Sequence, residues 1–269
     1  MRGFLPWQGG KSQLAGQIAQ MINLTEHLCY VEPFMGAAHV FFHKEPAKVE
    51  VLNDINRDLS NLFRILQHHL EEFLRQFKWM LSSRDLFELL NAQNPESLTD
   101  IQRAARFYYL QKLCFGGKAT SKSYGTSTTS PPRLNLLRIE EELSQVHLRL
   151  IRTNIENLSW QKAIEKYDRP HTLFYLDPPY YGCENDYGKD LFSKADFKEM
   201  AGILKGIKGK FILSLNDHPE VRKLFKDFQI KPVSVRYSLN NTKGQAKAFP
   251  ELLISSMSLK NIEKIPAKS

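Results

Sequence analysis

The stretch LCYVEPFMGAAHVFF, residues 28–42, joins an apolar run to a second apolar pattern through a turn that contains Gly36. An apolar run of about four to eight residues that ends at a glycine turn is typical of a buried strand. A second run, KVEVLNDIN at residues 48–56, ends near Asp54 and leads into the amphipathic sequence of residues 57–77. Strand, turn, helix and strand in this order predict the start of an α/β fold.

The same alternation returns in the C-terminal half of the chain. Apolar runs predict further strands at residues 149–155, 171–177, 209–216, 228–239 and 251–257. Helical patterns lie between several of them, at residues 160–166, 195–204 and 219–225. Alternating strands and helices predict a largely parallel, doubly wound sheet, and the last two strands, with no clear helix between them, predict an antiparallel hairpin. Ligands of such sheets bind beyond the carboxyl ends of the strands.

The middle of the chain has a different character. Helical patterns flank FGGKATSKSYGTSTTSPPRLN, residues 115–135, which is too polar to form a core and predicts a long loop. We therefore divide the chain into a sheet domain of residues 1–60 and 151–260 and an inserted, mainly helical lobe of residues 61–150.

The charge of the chain favours a polyanionic partner. The formal net charge is +8, and the segment from Arg103 to Arg138 contains no Asp or Glu. Aromatic residues are interleaved with its basic residues, as in many nucleic-acid-binding surfaces. A buried aromatic helix face with solvated charges is the alternative interpretation. The basic residues of the segment are Arg103, Arg106, Lys112, Lys118, Lys122, Arg133 and Arg138.

Several classes of protein are disfavoured. No run of about 18 apolar residues and no secretory signal pattern is present, which predicts a cytoplasmic protein without membrane spans. Three widely spaced cysteines, Cys29, Cys114 and Cys183, lack metal-ligand spacing, so we expect no metal site. The Gly-Lys-Ser triplet at residues 10–12 resembles a phosphate loop, but that motif requires glycine where Leu5 stands, which argues against an ATP hydrolase.

The most specific element is FYLDPPYYG, residues 174–182. Its two prolines remove two N–H donors, so the turn presents carbonyl oxygens and the Asp177 carboxylate. Such an acceptor-rich turn suits an exocyclic amino group, which would donate to Asp177 and to the Pro178 carbonyl and keep its lone pair free for attack. Tyr180 is placed to stack on the ring of the substrate. A Pro-Pro turn with a structural role alone is the alternative.

With these residues the chain resembles the Dam-type adenine-specific DNA methyltransferases, the alpha-ordered (D12) class. The matching parts follow the order of that family: PWQGGKSQL near the N-terminus, YVEPFMGAAHVF, LNDINRDL, an inserted lobe and DPPY. The resemblance implies a Rossmann-like, S-adenosylmethionine-dependent methyltransferase sheet with an inserted target-recognition lobe. It also implies transfer of a methyl group to the N6 amino group of adenine in double-stranded DNA, after the base is flipped out of the helix.

The resemblance assigns roles to particular residues. It places Lys11 at the methionine carboxylate and Asp54 at the ribose hydroxyls of the cofactor, with Phe34 or Phe192 near the sulfonium. The cofactor-binding residues are Trp7, Lys11, Phe34, Gly36, Asp54 and Asp177, and the catalytic residues are Asp177, Pro178, Pro179 and Tyr180. The predicted DNA contacts are Lys118, Lys122, Arg133, Asn135, Arg236 and Lys243.

The chain departs from the best-known members of the family in the lobe. Members that methylate GATC carry an Asn-Gly-x-x-Arg-x-Asn hairpin core and an Asn-Val-Pro-Phe-Gly continuation, which residues 115–135 do not contain. GATC recognition is therefore not expected, and the sequence predicts neither a recognition site nor a partner endonuclease. Methylation of cytosine, of RNA or of protein glutamine, and a DNA-binding module without activity, remain alternatives. The expected setting is a bacterial cell or a phage-infected host.

Overall fold

The structure is a computed structural model. It describes residues 3–11, 13–118, 120, 122–184, 191–237 and 247–258, with side chains left out at residues 234–237 and 247–249.

A seven-stranded sheet with the order β3-β2-β1-β4-β5-β7-β6 forms the centre of the fold. β7 pairs antiparallel with β5 and with β6, and the other neighbouring strands are parallel. This confirms the predicted α/β fold and its antiparallel hairpin, and adds that β7 lies between β5 and β6. The strands are β1 (Cys29–Glu32), β2 (Val49–Asn53), β3 (Thr153–Glu156), β4 (Thr172–Leu176), β5 (Lys210–Asn216), β6 (Gln229–Tyr237) and β7 (Lys247–Ser255).

Helices cover both faces of the sheet. The described helices are α1 (Ala15–Asn23), α2 (His39–His43), α3 (Arg57–His68), α4 (Leu70–Arg75), α5 (Arg84–Ala92), α6 (Asp100–Leu113), α7 (Ile139–Leu150), α8 (Trp160–Tyr167), α9 (Lys194–Gly206) and α10 (Pro219–Leu224). The amphipathic sequence at 57–77 forms two helices rather than one, because the backbone leaves the helical region at His69 (φ −136°, ψ 39°).

The two sheet faces bury separate hydrophobic clusters. Successive side chains of a strand point to opposite faces, so Tyr30 joins one cluster and Val31 the other. The cluster around Tyr30 also contains Phe63 of α3 and Tyr108 of α6, so helices of the inserted lobe share a core with the sheet. All residues of β1 and β4 are buried, as expected for central parallel strands covered on both sides.

The lobe consists of α3 to α7 and the polar loop between α6 and α7. The predicted boundary at residue 60 falls inside α3, which continues from Arg57 to His68. Within the described part of the chain, no helix is long and apolar enough to cross a membrane. The same residues contain no cluster of three or more His, Cys, Asp or Glu side chains suited to a metal ion.

Candidate active site

A cavity of about 280 Å³ opens at the carboxyl ends of the central strands. Its lining includes Glu32 at the end of β1, Asp54 just beyond β2, Trp160 after β3 and Asp177 directly after β4. The strand order reverses between β1 and β4, and such switch points are where open α/β sheets bind ligands. The cavity therefore joins the glycine turn after β1 to the Asp-Pro-Pro-Tyr turn after β4.

The N-terminal segment, residues 4–11, supplies one wall of the cavity through Trp7 and Lys11. Trp7 packs on the turn after β1, where Gly36 has φ +48°. A Cβ at Gly36 would lie 2.9 Å from Trp7 Nε1. Glycine is thus needed here for its conformation and for the close approach of the indole. The resemblance assigned Gly36 to the cofactor, and the close neighbour that the structure shows is Trp7.

Asp54 is held by the backbone at the end of β2. Its carboxylate accepts hydrogen bonds from the N–H of Gly36 (3.1 Å) and of Asn56 (2.9 Å). Asn56 in turn caps α3 by accepting from Leu59 N, so the two neighbouring residues have separate roles. Burial raises the pKa of Asp54 to about 6, and the two backbone hydrogen bonds oppose that rise.

Asp177 and Lys11 form an ion pair within the cavity. Lys11 Nζ lies 2.5 Å from Asp177 Oδ1 and 3.3 Å from the Gly9 carbonyl, and Lys11 is buried. Ser214 at β5 also donates to Asp177 Oδ1 (3.1 Å). Burial raises the pKa of Asp177, while Lys11 acts in the opposite direction. The resemblance assigned these two residues to different partners, whereas the structure joins them.

The other residues of the Asp-Pro-Pro-Tyr turn differ in whether they line the cavity. Pro179 lines the cavity, whereas Pro178 and Tyr180 are not among the described residues of its lining. The Tyr180 ring lies beneath Lys11, with its centroid 4.6 Å from Nζ. The Tyr180 ring therefore packs against the ammonium group of the ion pair.

Aromatic side chains form another wall. Phe34 stacks on Trp160 with ring centroids 6.2 Å apart and meets Phe192 edge to face at 5.9 Å. All three line the cavity. The sequence named Phe34 and Phe192, but Trp160 was noted only as the start of a helix. Its signal was its position just after the end of β3, where a ligand-binding loop is expected.

Two buried polar residues at strand ends were missed. Glu32 lines the cavity and accepts from Tyr30 Oη (2.6 Å), and burial raises its pKa to about 8. The Asn53 side-chain amide donates to the carbonyls of Pro33 and Leu158 and accepts from the Leu158 N–H. These bonds connect the carboxyl ends of β1, β2 and β3. Glu32 and Asn53 each follow an apolar run directly, and this position at a strand end was the sequence feature that could have identified them.

A third missed interaction stabilises the chain after the Asp-Pro-Pro-Tyr turn. The Asn216 side-chain amide accepts a hydrogen bond from the Tyr181 backbone N–H (2.9 Å) and donates one to the Tyr181 carbonyl (3.0 Å). Neither Asn216 nor Asp217 caps the helix that follows β5. His218 is the N-cap of α10, and Asp217 pairs with Arg222 instead.

The predicted DNA contacts of the lobe are mostly exposed. Lys118 and Arg133 are exposed, as is Asn135, whose Oδ1 accepts from Leu137 N. Lys122 differs: its Nζ lies 4.4 Å from the centroid of the Phe107 ring, and burial lowers its pKa to about 8. Of the remaining two predicted contacts, Arg236 lies in β6 with its side chain outside the described part, and Lys243 lies outside the described residues.

Several basic residues of the acid-free segment form ion pairs in the structure. Arg103 is buried and pairs with Asp58 and Glu96, which come from outside the segment. Other members pair similarly: Lys112 with Glu142, and Arg138 with Glu141. Acidic residues outside the segment therefore neutralise part of it, and Lys118 and Arg133 of the polar loop stay exposed.

A mostly parallel sheet, a cavity at its switch point and the Asp-Pro-Pro-Tyr turn beside it are the arrangement that the resemblance to the α/β methyltransferases implies. A model of the D12 class N6 adenine-specific DNA methyltransferases matches residues 7–239. The chain belongs to this family and is an adenine-specific DNA methyltransferase.

Named relatives are similar along nearly their whole length. The chain is 25% identical over 231 residues to the type II methyltransferase M.CviBI of Paramecium bursaria Chlorella virus NC1A, covering 85% of this chain and 88% of that protein. It is 24% identical over 289 residues to the type II methyltransferase M.MjaIII of Methanocaldococcus jannaschii, covering 94% and 98%. It is 24% identical over 265 residues to the DNA adenine methylase of Escherichia coli (strain K12), covering 94% of each.

Proposed function

We propose that the chain transfers the methyl group of S-adenosylmethionine to the N6 amino group of an adenine flipped out of double-stranded DNA. The observation that carries this proposal is one cavity that contains both the buried Asp177–Lys11 pair and the Asp54 carboxylate beyond β2. One end offers acceptors for an amino group and the other an acceptor for ribose hydroxyls, as in dinucleotide folds. The family membership supports adenine in DNA as the substrate.

The lining fits a nucleoside cofactor with an amino-acid tail. Asp54 would accept from the ribose hydroxyls, and Phe34 and Trp160 offer rings for the adenine. Lys11 uses two of its three N–H groups on Asp177 and Gly9, which leaves one for the methionine carboxylate. When bound, S-adenosylmethionine supplies a methyl group on a cationic sulfur.

The Asp177 carboxylate orients the amino group. Among the described residues, its hydrogen bonds from Lys11 and Ser214 both reach Oδ1, so Oδ2 is the oxygen left for a substrate N–H. The Pro178 carbonyl as the second acceptor and the Tyr180 ring as the group that stacks on the base stay proposals, because neither residue is among the described lining of the cavity. Held in this way, the amino nitrogen keeps its lone pair for the methyl carbon. Lys11 and Asp54 would hold the cofactor, which would supply its methyl group to this nitrogen, and the amino proton would leave to solvent afterwards.

Cofactor affinity should depend on pH through Asp54. Its pKa is raised to about 6, so the carboxylate becomes protonated and stops accepting as the pH falls through that value. We expect affinity for S-adenosylhomocysteine to fall between pH 8 and pH 5.5. In Asp54→Asn, affinity at pH 8 should be about tenfold weaker and this pH dependence should be lost. Isothermal titration calorimetry across the range measures both, and an unchanged pH profile in the variant would remove Asp54 from the cofactor site.

Two exposed lobe residues, Lys118 and Arg133, should bind phosphates. Replacing both with Ala should lower the slope of log affinity for duplex DNA against log salt by about 0.9 for each phosphate that the protein no longer neutralises. Lys48 and Lys208 are a matched control pair, because both are exposed and precede β2 and β5 at the opposite edge of the sheet. Fluorescence anisotropy at several salt concentrations measures the slopes. Equal slopes in both double variants would place the DNA surface elsewhere.

The proposed reaction is tested by mapping the product. The protein is incubated with methyl-labelled S-adenosylmethionine and mixed-sequence DNA that carries no adenine methylation, and the labelled positions are sequenced. We expect label on adenines in duplex DNA within a site other than GATC, because residues 115–135 lack the GATC-reading pattern. Label on cytosine or no label would contradict the proposal.

A further inference from the structure

The N-terminal cavity wall is attached to the inserted lobe rather than to the sheet alone. Gln111, near the end of α6, is fully buried, and its Nε2 donates to the carbonyls of Pro6 and Gly117, both at 2.8 Å. The Gly117 carbonyl also accepts from Gln8 N (2.9 Å). The Gln111 amide therefore joins Pro6 to the short 3-10 turn Phe115–Gly117, and a backbone hydrogen bond joins Gln8 to the same turn.

The joint is also tightly packed. Gly117 has φ +68°, and a Cβ there would lie 2.9 Å from the backbone N of Trp7. The Trp7 ring contacts Phe107 of α6 at 6.4 Å between ring centroids. Because protein interiors are close-packed, a displacement of the segment around Trp7 would also displace the turn at Gly117, and the reverse.

The two sides of the joint belong to different sites. Trp7 packs on Gly36 in the cofactor cavity, and Lys11, four residues further, pairs with Asp177. On the other side, Lys118 directly follows Gly117 and begins the exposed basic loop. The joint thus lies between the cofactor cavity and the proposed DNA surface, and a role for it in binding rests on the proposed function.

We propose that Gln111 is a positioning residue that locks the cofactor wall at Trp7 to the start of the DNA-contacting loop, so that cofactor and DNA each strengthen binding of the other. A cofactor that orders Trp7 also orders Gly117 and the loop behind it. Because coupling between two ligands is reciprocal, DNA held by the loop must raise cofactor affinity by the same factor.

The chain contains a matched control for this role. Gln67 of α3 is also buried, and its Nε2 likewise donates to two backbone carbonyls, those of Leu150 (2.6 Å) and Thr153 (2.7 Å). Thr153 is the first residue of β3, so this second amide lies at the amino end of a strand, whereas the cavity lies at the carboxyl ends. Gln67→Leu and Gln111→Leu each remove one buried amide with two acceptors, and only Gln111 joins the two proposed sites.

The test is equilibrium dialysis of labelled S-adenosylhomocysteine with the full chain, alone and with saturating unmethylated phage lambda DNA. We expect at least about fivefold tighter binding with DNA in the wild type, the same ratio in Gln67→Leu, and a ratio near one in Gln111→Leu. Circular dichroism confirms that each variant is folded. If Gln111→Leu does not fold, Gln111→Asn, which shortens the amide, replaces it and should lower the ratio.

A wild-type ratio retained by the folded Gln111 variant would overturn the inference, as would a ratio of one in a wild type that methylates adenine. In both cases the proposed function would stand. A wild type that binds no S-adenosylhomocysteine would instead contradict the proposed function itself.

Discussion

Replacing Asp177 with Ala should reduce methyl transfer by about 10³-fold or more, which is the scale of losing a preorganised electrostatic interaction with the reacting group. The variant removes the carboxylate that faces the substrate amino group and leaves the Pro178 carbonyl as its main acceptor. Transfer of labelled methyl groups to DNA under single-turnover conditions measures the loss. Affinity for DNA should change little, because the exposed basic residues of the lobe are untouched.

A carboxylate at the other end of β4 provides the control. Asp168 accepts from the backbone N–H groups of Lys208 and Gly209 and precedes the strand, whereas Asp177 follows it. Asp168→Ala should keep methyl transfer near the wild-type rate even if it unfolds at a lower temperature. Wild-type turnover in Asp177→Ala would exclude the proposed role of this carboxylate.

Replacing Lys11 with Met should cause the second-largest loss. The change removes the buried cation that opposes the upward shift of the Asp177 pKa, so that pKa should rise further. A larger fraction of Asp177 is then protonated at neutral pH and cannot accept a hydrogen bond through both oxygens. We expect transfer at pH 7 to fall by about 10², and affinity for S-adenosylhomocysteine to fall by about tenfold through loss of the ammonium.

The sign of the pH effect distinguishes this explanation from simple misfolding. Ionised Asp177 becomes more abundant as the pH rises, so the residual rate of Lys11→Met should increase with pH over a range that lies higher than in the wild type. Single-turnover rates at saturating cofactor measure this, with thermal unfolding as the check on folding. Parallel pH profiles in the two proteins would show that Lys11 does not control the ionisation of Asp177.

Local sequence patterns predicted the elements that carry the site. The turn at Gly36, the acidic residue after β2 and the Asp-Pro-Pro-Tyr turn after β4 all follow apolar runs that the structure confirms as strands. Proline and glycine restrict the backbone at their own positions, so such turns are readable from a few neighbouring residues.

Contacts between distant residues were not predictable in the same way. The basic segment appeared unneutralised because Asp58, the partner of Arg103, lies 45 residues away. Lys122, counted among the DNA contacts, lies over the Phe107 ring. Charge along the sequence reports which groups exist, whereas burial and pairing depend on the helices that pack around them.

The sequence by itself determined the strand order in the chain, the glycine and proline turns at the strand ends and the identity of the acceptor groups, because these depend on periodicity and on backbone restriction within a few residues. Only the tertiary structure decided that Lys11 pairs with Asp177 across 166 residues and that Gln111 holds the cofactor wall to the lobe. Such pairings are set by which strand ends and helices the folded core brings together, and no local pattern encodes that geometry.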